Sequence, residues 1–395
     1  LDDFISKLFC IETEVQALSA HHHELAPLYF CKRQFVLRKA MNKVSDEDIS
    51  KIDGFKLEKQ LEIEFKEPFS ELVFATKVIE WLKDEEKNEE LLKAALFYAA
   101  WALKTVKGKI RSQEGVLFKG HPKLDYLRLV PSVIDTAEGY VSHRLDHLRR
   151  REGFSLTDQG TDLVGALDEA NYCIWCHEQG KDSCSKGLKV KPKSPDEPKS
   201  FKKSQFGVLL AGCPLEERIS EFHKLKTEGV AIGSLAMIVL DNPMCAGTGH
   251  RICNDCMKSC IYQKQEPVNI PEAETRSLKD ILELPWGFEI YSLLTRWNPL
   301  DLNRPVPKAP SGHKVLVVGM GPAGYTLAHH LMNDGHAVVG IDGLKIESLS
   351  SDISGTKEGA HVPFRAIRDA KELDEDLNER MPAGFGGVAE YGITV

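Results

Sequence analysis

The sequence has no long apolar run. Nothing in it approaches the roughly 20 consecutive apolar residues that a membrane-spanning helix needs, and the stretch from Phe4 to Phe9 is too short and lacks the flanks of a secretory signal. A basic excess is missing too: 51 Lys and Arg stand against 59 Asp and Glu, a formal net charge of −8, which argues against a nucleic-acid partner. No general acid, base or nucleophile arrangement is visible. With 42% hydrophobic and 28% charged residues the composition is that of an ordinary globular protein, and 395 residues exceed one typical core, so two or three domains are expected. Cysteine is also scarce, at ten residues. Unpaired thiols suit a reducing compartment, so a cytoplasmic location is expected.

What matters is where those cysteines fall. Cys10 and Cys31 stand alone, while the other eight crowd into residues 173 to 260. Upstream come Cys173-Ile-Trp-Cys176, then Cys184, then Cys213 in Ala-Gly-Cys-Pro-Leu. Downstream come Cys245 and the C-x2-C-x3-C run of Cys253, Cys256 and Cys260. A disulfide framework belongs to small secreted domains. Zinc could take the two C-x2-C pairs, but it leaves Cys184, Cys213, Cys245 and Cys260 idle, and such halves usually lie closer in sequence. Iron–sulfur clusters of the [4Fe–4S] type often draw three thiolates from one run and the last from far away, and two of them would use nearly the whole set.

Near the other end runs Lys314-Val-Leu-Val-Val-Gly319-Met-Gly321-Pro322-Ala323-Gly324-Tyr-Thr-Leu-Ala. A G-x-G-x-x-G pattern alone is weak. This one follows an apolar strand and opens an apolar-periodic helix, the context that marks a dinucleotide turn. Gly319 permits the tight turn, Gly321 lets a pyrophosphate approach the backbone, and Gly324 lets helix pack on strand. A second strand over 336–341 ends at Asp342, where a carboxylate can accept from ribose hydroxyls. The alternative is a coincidental glycine turn.

Taken in order, these features resemble the glutamate synthase small subunit and dihydropyrimidine dehydrogenase N-terminal family over roughly residues 165 to 395. The carriers are Cys-x2-Cys, Cys184, Gly-Cys-Pro-Leu, Asn242-Pro243, Arg251-x-Cys-x2-Cys-x3-Cys and the glycine fingerprint. The resemblance implies one [4Fe–4S] cluster on Cys173, Cys176, Cys184 and Cys260. It implies a second on Cys213, Cys253, Cys256 and Glu274, with Glu272 close enough to compete for the last place. Arg251 would raise cluster potential. Cys245 has no assigned role and reads as a small buried hydrophobe, though whether Cys184 or Cys245 completes a cluster stays open. Gly-Pro-Ala-Gly is typical of FAD-binding members, and Gly386-Gly387 with Tyr391-Gly392-Ile393 is similar to a later flavin segment; Asp342 replaces the family's usual Glu. Gaps longer than the family's separate Cys176, Cys184 and Cys213.

The rest of the chain is read from its patterning. Residues 1–165 are expected to be helical, with apolar periodicity over 71–82 and 91–103 giving a hairpin of two helices, and a further helix expected over 132–151. This domain has no assigned role beyond dimerisation or docking. His21-His22-His23 lies inside an apolar-periodic segment and reads as surface rather than as a metal tract. A helical double-cluster domain is expected over 166–275, with a Lys-, Pro- and Ser-rich insert at 185–205 read as an exposed loop. A helix is expected to start directly after Pro214. A connector follows at 276–311, marked by the prolines of 303–312. Residues 312–395 are expected to be the first part of an α/β, Rossmann-like FAD-binding domain, and the chain one piece of a longer polypeptide.

The expected fold class is therefore a helical N-terminal region and helical Fe–S domain, then an incomplete α/β domain. The expected function is electron transfer between NAD(P)H, FAD and two [4Fe–4S] clusters, with the nicotinamide site outside this chain. The acceptor would be a partner protein or a further domain of the same polypeptide, with no membrane involved and self-association through the N-terminal helices an option. The rival expectation is a zinc-stabilised, nucleotide-binding interaction module without redox activity.

Overall fold

The computed structural model describes residues 1–130, 132–136, 139–145, 160–191, 194, 200–248, 253–342, 350–358 and 360–365. It is largely helical with a few short strands, and it divides into two units. The first comprises residues 1–121, 162–174 and 223–231, the second 122–161, 175–222 and 232–395.

The first unit begins with α1 (Asp2–Phe9) and α2 (Glu12–Cys31), which runs on into a π-helical stretch, Lys32–Ala40. Then follow α3 (Met41–Lys43), α4 (Asp46–Ser50), α5 (Gly54–Phe65), α6 (Glu71–Trp81), α7 (Glu89–Lys104), α8 (Val106–Arg111) and, later in the chain, α9 (Leu163–Tyr172). Local chemistry starts several of these helices. The side chains of Asp53, Ser70 and Asp162 accept from the backbone N–H three residues on, satisfying an otherwise orphaned donor at the head of α5, α6 and α9. The periodicity over 71–81 and 91–103 is realised as α6 and α7. They pack less on each other than the expected hairpin implies: α6 lies chiefly on α2 and α7 chiefly on α5. Phe65, Phe74, Tyr98, Trp101 and Phe118 fill the middle, several ring pairs meeting edge-on, as ring quadrupoles favour.

Helix α9 packs in this unit rather than at the head of a separate cluster domain. Tyr29 donates to the Val164 carbonyl, and the buried Lys32 ammonium sits 2.6 Å from Asp168. His22 is buried on α2 with its ring Nδ1 2.7 Å from the Leu18 carbonyl, whereas His21 and His23 are exposed, so the tract is split by the helical period rather than wholly at the surface.

In the second unit the expected helix over 132–151 is replaced, among the described residues, by an antiparallel pair, β1 (Ser132–Asp135) and β2 (Ser142–Leu145). β-branched Val133 and Ile134 favour extended backbone, and Gly139 takes a left-handed φ of 78° in the connection. Beyond the cysteine loop come the short α10 (Ser183–Lys186), then α11 (Ile219–Thr227), α12 (Ala231–Asp241), α13 (Cys245–Thr248), α14 (Asp255–Lys258), α15 (Ile270–Leu282) and α16 (Gly287–Arg296). α11 starts at Ile219, not directly after Pro214, because residues 214 and 215 turn first and Glu216 takes a left-handed φ of 50°.

A β–α–β unit follows: β3 (Lys314–Val318), α17 (Pro322–Asn333) and β4 (Ala337–Ile341), the strands parallel with Lys314 opposite Ala337 and Val318 opposite Ile341. Val317 and Ala328 are buried in it, while Leu316, Val318, Val339 and Ile341 are exposed. Among the described residues this sheet has two strands. A short helix, α18 (Ser351–Ser354), and a small pair, β5 (Thr356–Lys357) and β6 (Ala360–His361), complete the description.

Candidate cluster and nucleotide site

The insert that separates Cys184 from Cys213 folds back on itself. α10 stops at Gly187, whose φ of 78° turns the chain outward. Leu188 then donates to the Leu210 carbonyl at 2.9 Å, Lys202 to Leu188 at 2.8 Å, and Leu210 to Lys202 at 2.9 Å. The expected exposed loop thus has a bonded base, which returns the chain to its starting point. Gly212 closes it with a φ of 88°, and a Cβ there would lie 2.4 Å from the Ser185 carbonyl oxygen. As a result the backbone N–H of Cys213 donates to the Cys184 carbonyl at 2.8 Å.

Four residues expected to act together fall in one electrostatic neighbourhood. Cys256, on α14, is buried, and its thiol is pushed up first by burial and then by Glu274, Glu217 and Cys213. Cys213 is raised by burial, while the backbone N–H groups of Glu217 and Leu215 face its sulfur and oppose that rise. Cys253 is exposed and lies close enough to act on Glu217. Glu274 projects from α15; it keeps some solvent contact but is otherwise enclosed by protein, and burial pushes its carboxyl up to about 7. Asn242 opposes that rise by donating to Glu274 Oε1 at 2.8 Å, which gives the Asn242-Pro243 pair a physical task. Between the two candidates on α15, geometry puts Glu274 and not Glu272 against the thiols.

One member was not foreseen as a site residue. Glu217 is buried, its carboxyl is held well above the usual range by burial and then by Glu274, and its Oε1 has no hydrogen-bond partner. Its position four residues after Cys213 was the available signal, but the segment read as the exposed start of a helix. Cys245, on α13, is buried beside Tyr291 and within reach of Glu274 and Glu217; burial keeps its thiol protonated.

Of the other expected set, Cys173 falls in the first unit as the residue ending α9, its N–H donating to the Glu169 carbonyl. Cys176, Cys184 and Cys260 fall in the second, all buried. Cys176 is raised by burial and then by Cys260, so those two thiols are near neighbours. Cys184 is not part of the exposed insert: it lies inside α10, which packs on α14, and its thiol donates to Asp182 Oδ1 at 3.7 Å.

Buried donors flank these sulfurs. The hydroxyls of Ser183 and Ser185, either side of Cys184, and the indole N–H of Trp175, beside Cys176, are buried without a hydrogen-bond partner. Leaving a polar group so costs about 1–3 kcal/mol, and donors aimed at cluster sulfurs are a known means of setting iron–sulfur potential. Among the described residues no three His, Cys, Asp or Glu side chains close on one point as the ligands of a single metal ion must. Thiolates of a four-iron cluster attach to separate iron atoms and need not do so. The donor set, thiols flanked by buried N–H and O–H groups without partners among the described residues, is of the kind a cluster takes.

The glycine turn lies between β3 and α17. Gly319 has a φ of 90°, a Cβ on Gly321 would meet nothing within 4 Å, and a Cβ on Gly324 would lie 1.8 Å from the Gly319 carbonyl. Asp342, just past β4, accepts from the Met320 N–H at 2.6 Å and so faces the same turn. Pro322 and Ala323 form the first turn of α17. Tyr325, directly after Gly324, donates to the Gly247 carbonyl in the Cys245–Cys253 segment, tying the nucleotide turn to the cysteine region. Arg251, Gly386 and Gly387 lie outside the described residues.

No family model matches the chain. A stretch of 152 residues is 55% identical to the uncharacterized protein RP006 of Rickettsia prowazekii (strain Madrid E), covering 38% of this chain and 20% of that protein. A stretch of 236 residues is 31% identical to the uncharacterized protein RP005 of the same organism, covering 58% of this chain and 77% of that protein. The chain thus spans about a fifth of the length of RP006.

Proposed function

We propose, for a chain that belongs to the same family as the uncharacterized protein RP005 of Rickettsia prowazekii, that its task is electron transfer in the manner of the glutamate synthase small subunit. In this reading, electrons from NAD(P)H pass through FAD and two [4Fe–4S] clusters to a partner, and those groups supply the redox chemistry. The observation that carries it is the hydrogen bond from Tyr325 to Gly247, which ties a dinucleotide-type glycine turn to a segment bounded by cysteines.

The chain's own part is placement and tuning. Cys213, Cys253, Cys256 and Glu274 would hold one cluster, with Asn242 orienting the carboxylate. Cys176, Cys184 and Cys260 would hold the other. The backbone N–H groups of Leu215 and Glu217 and the hydroxyls of Ser183 and Ser185 are the donors available to sulfur, and each would favour the more negative, reduced state. Gly319 and Gly321 leave the space a pyrophosphate needs at the head of α17, Gly324 lets that helix pack close, and Asp342 is the ribose acceptor. The exposed apolar face of β3 and β4 suits a Rossmann-like sheet, which is normally covered on both faces.

The test is an anaerobic visible spectrum together with iron, sulfide and zinc analysis. Broad absorption bleached by dithionite, with about eight irons per chain, is the expected result for two four-iron clusters. A colourless protein with stoichiometric zinc would overturn the reading in favour of a zinc-stabilised interaction module.

A further inference from the structure

A cleft of about 930 Å3 opens in the second unit beside Cys176 and Cys184. Its walls come from four separate segments: residues 177–183 between the two cysteines, the outgoing and returning arms of the insert, Glu221 on α11, and the loop 261–265 that follows Cys260. Five lysines line it: Lys181, Lys186, Lys189, Lys202 and Lys264. All five are exposed, and among the described residues none of their ammonium groups lies within 4.0 Å of a carboxylate oxygen.

The two carboxylates of the cleft are already engaged. Asp182 accepts from the Cys184 thiol, and Glu221 faces Ser220 at 3.4 Å and His177 at 4.0 Å. Asp182 also interacts with Lys186, but five lysines against two carboxylates leave the described lining with an excess of positive charge, in a chain whose overall balance is −8. Concentrating positive charge on one concave face of an otherwise acidic protein sets up a local field that attracts negative surfaces. Three of the five, Lys186, Lys189 and Lys202, belong to the insert, so the segment lengthening the Cys184–Cys213 gap is also what supplies much of the field.

We infer that this cleft is the docking site for the acidic face of a one-electron carrier protein, which reaches Cys176 and Cys184 through it. The electron-transfer reading above is what makes that partner a carrier; the docking itself is a matter of charge and shape. A long-range lysine field raises the rate of encounter and fixes orientation without demanding tight binding, which suits a partner that must leave after each transfer.

The experiment is calorimetric titration of the full chain with a plant-type [2Fe–2S] ferredoxin as the acidic probe, with iron content measured on the same samples. Wild type should bind, and its Kd should weaken about tenfold or more between 50 and 300 mM salt. K186E/K202E should weaken binding at low salt at least about tenfold, and the milder K189Q/K264Q by a smaller factor, whereas K357E, on β5, should stay within about twofold. No binding by wild type, equal losses in K357E, or tight binding of tripolyphosphate in place of ferredoxin would overturn the docking inference. Absence of iron would instead remove the electron-transfer reading, and the binding result would be read separately from it.

Discussion

The backbone N–H of Cys213 donates to the carbonyl of Cys184 at 2.8 Å, although 28 residues of sequence lie between them. The bonds of Leu188, Lys202 and Leu210 form the base of that return, so the far part of the insert is dispensable for it. Replacing residues 192–199 by a short Asn-Gly turn should change unfolding free energy by no more than about 1 kcal/mol, since loop length enters only logarithmically. G212A should do the opposite: a side chain at φ 88° and 2.4 Å from the Ser185 oxygen forces the two cysteine segments apart. A loss of about 1–3 kcal/mol is expected, with reduced iron content. Urea titration and iron analysis of both variants check this pair.

Cys245 and Cys256 are both buried thiols within reach of Glu274, yet only Cys256 stands in the cysteine run. C256A should roughly halve bound iron. C245A should leave iron unchanged and cost about 1 kcal/mol, the contribution of a group about the size of one methylene. Equal iron loss in the two would make Cys245 a ligand and revise the set. N242A removes the donor to Glu274 Oε1 and should weaken retention of the same cluster, slowly rather than outright, in a chelator challenge.

Gly324 admits no side chain, since its Cβ would lie 1.8 Å from the Gly319 oxygen. G324A should abolish flavin retention by moving α17 off β3. At Gly321, where a Cβ would meet nothing within 4 Å, G321A should leave the fold intact and still weaken FAD, because only an approaching pyrophosphate needs that space. Flavin fluorescence in the two variants, beside their melting temperatures, separates the effects.

In the first unit the Lys32–Asp168 pair is the most exposed to failure by single substitution. K32M leaves a largely buried carboxylate unpaired and should cost about 3–5 kcal/mol at neutral pH. Burial raises the Asp168 carboxyl above the usual 3.8, and Lys32 opposes that rise. A raised carboxyl loses folding stability as pH climbs through the window above its unfolded value, and removing Lys32 widens that window upward. The deficit of K32M should therefore be largest near pH 7 and shrink as pH falls towards 4. Urea unfolding at the two pH values tests the sign, and a deficit that grew in acid would refute the assignment.

Much of this molecule was legible because the signals are local. Apolar periodicity marks α6, and the glycine turn depends on residues within a few positions of one another. The order of the cysteines was also readable, since spacing along the chain is a property of sequence. The helix expected over 132–151 failed where the same residues, set between turn-forming neighbours, pair as β1 and β2. The choice of Glu274 over Glu272 was open in sequence, because two carboxylates two residues apart differ only in which side of α15 faces the thiols.

By itself, then, the sequence determined a helical first unit, a β–α–β unit with a glycine turn, and a set of thiols too large for one zinc ion. The tertiary structure alone decided that Glu217 is buried among those thiols and that α9 packs with Lys32. It also decided that the insert returns Cys213 to Cys184 and gathers five lysines along one cleft. The reason is physical: burial, pairing and the sum of charges depend on which distant segments meet, and no short-range pattern encodes that meeting.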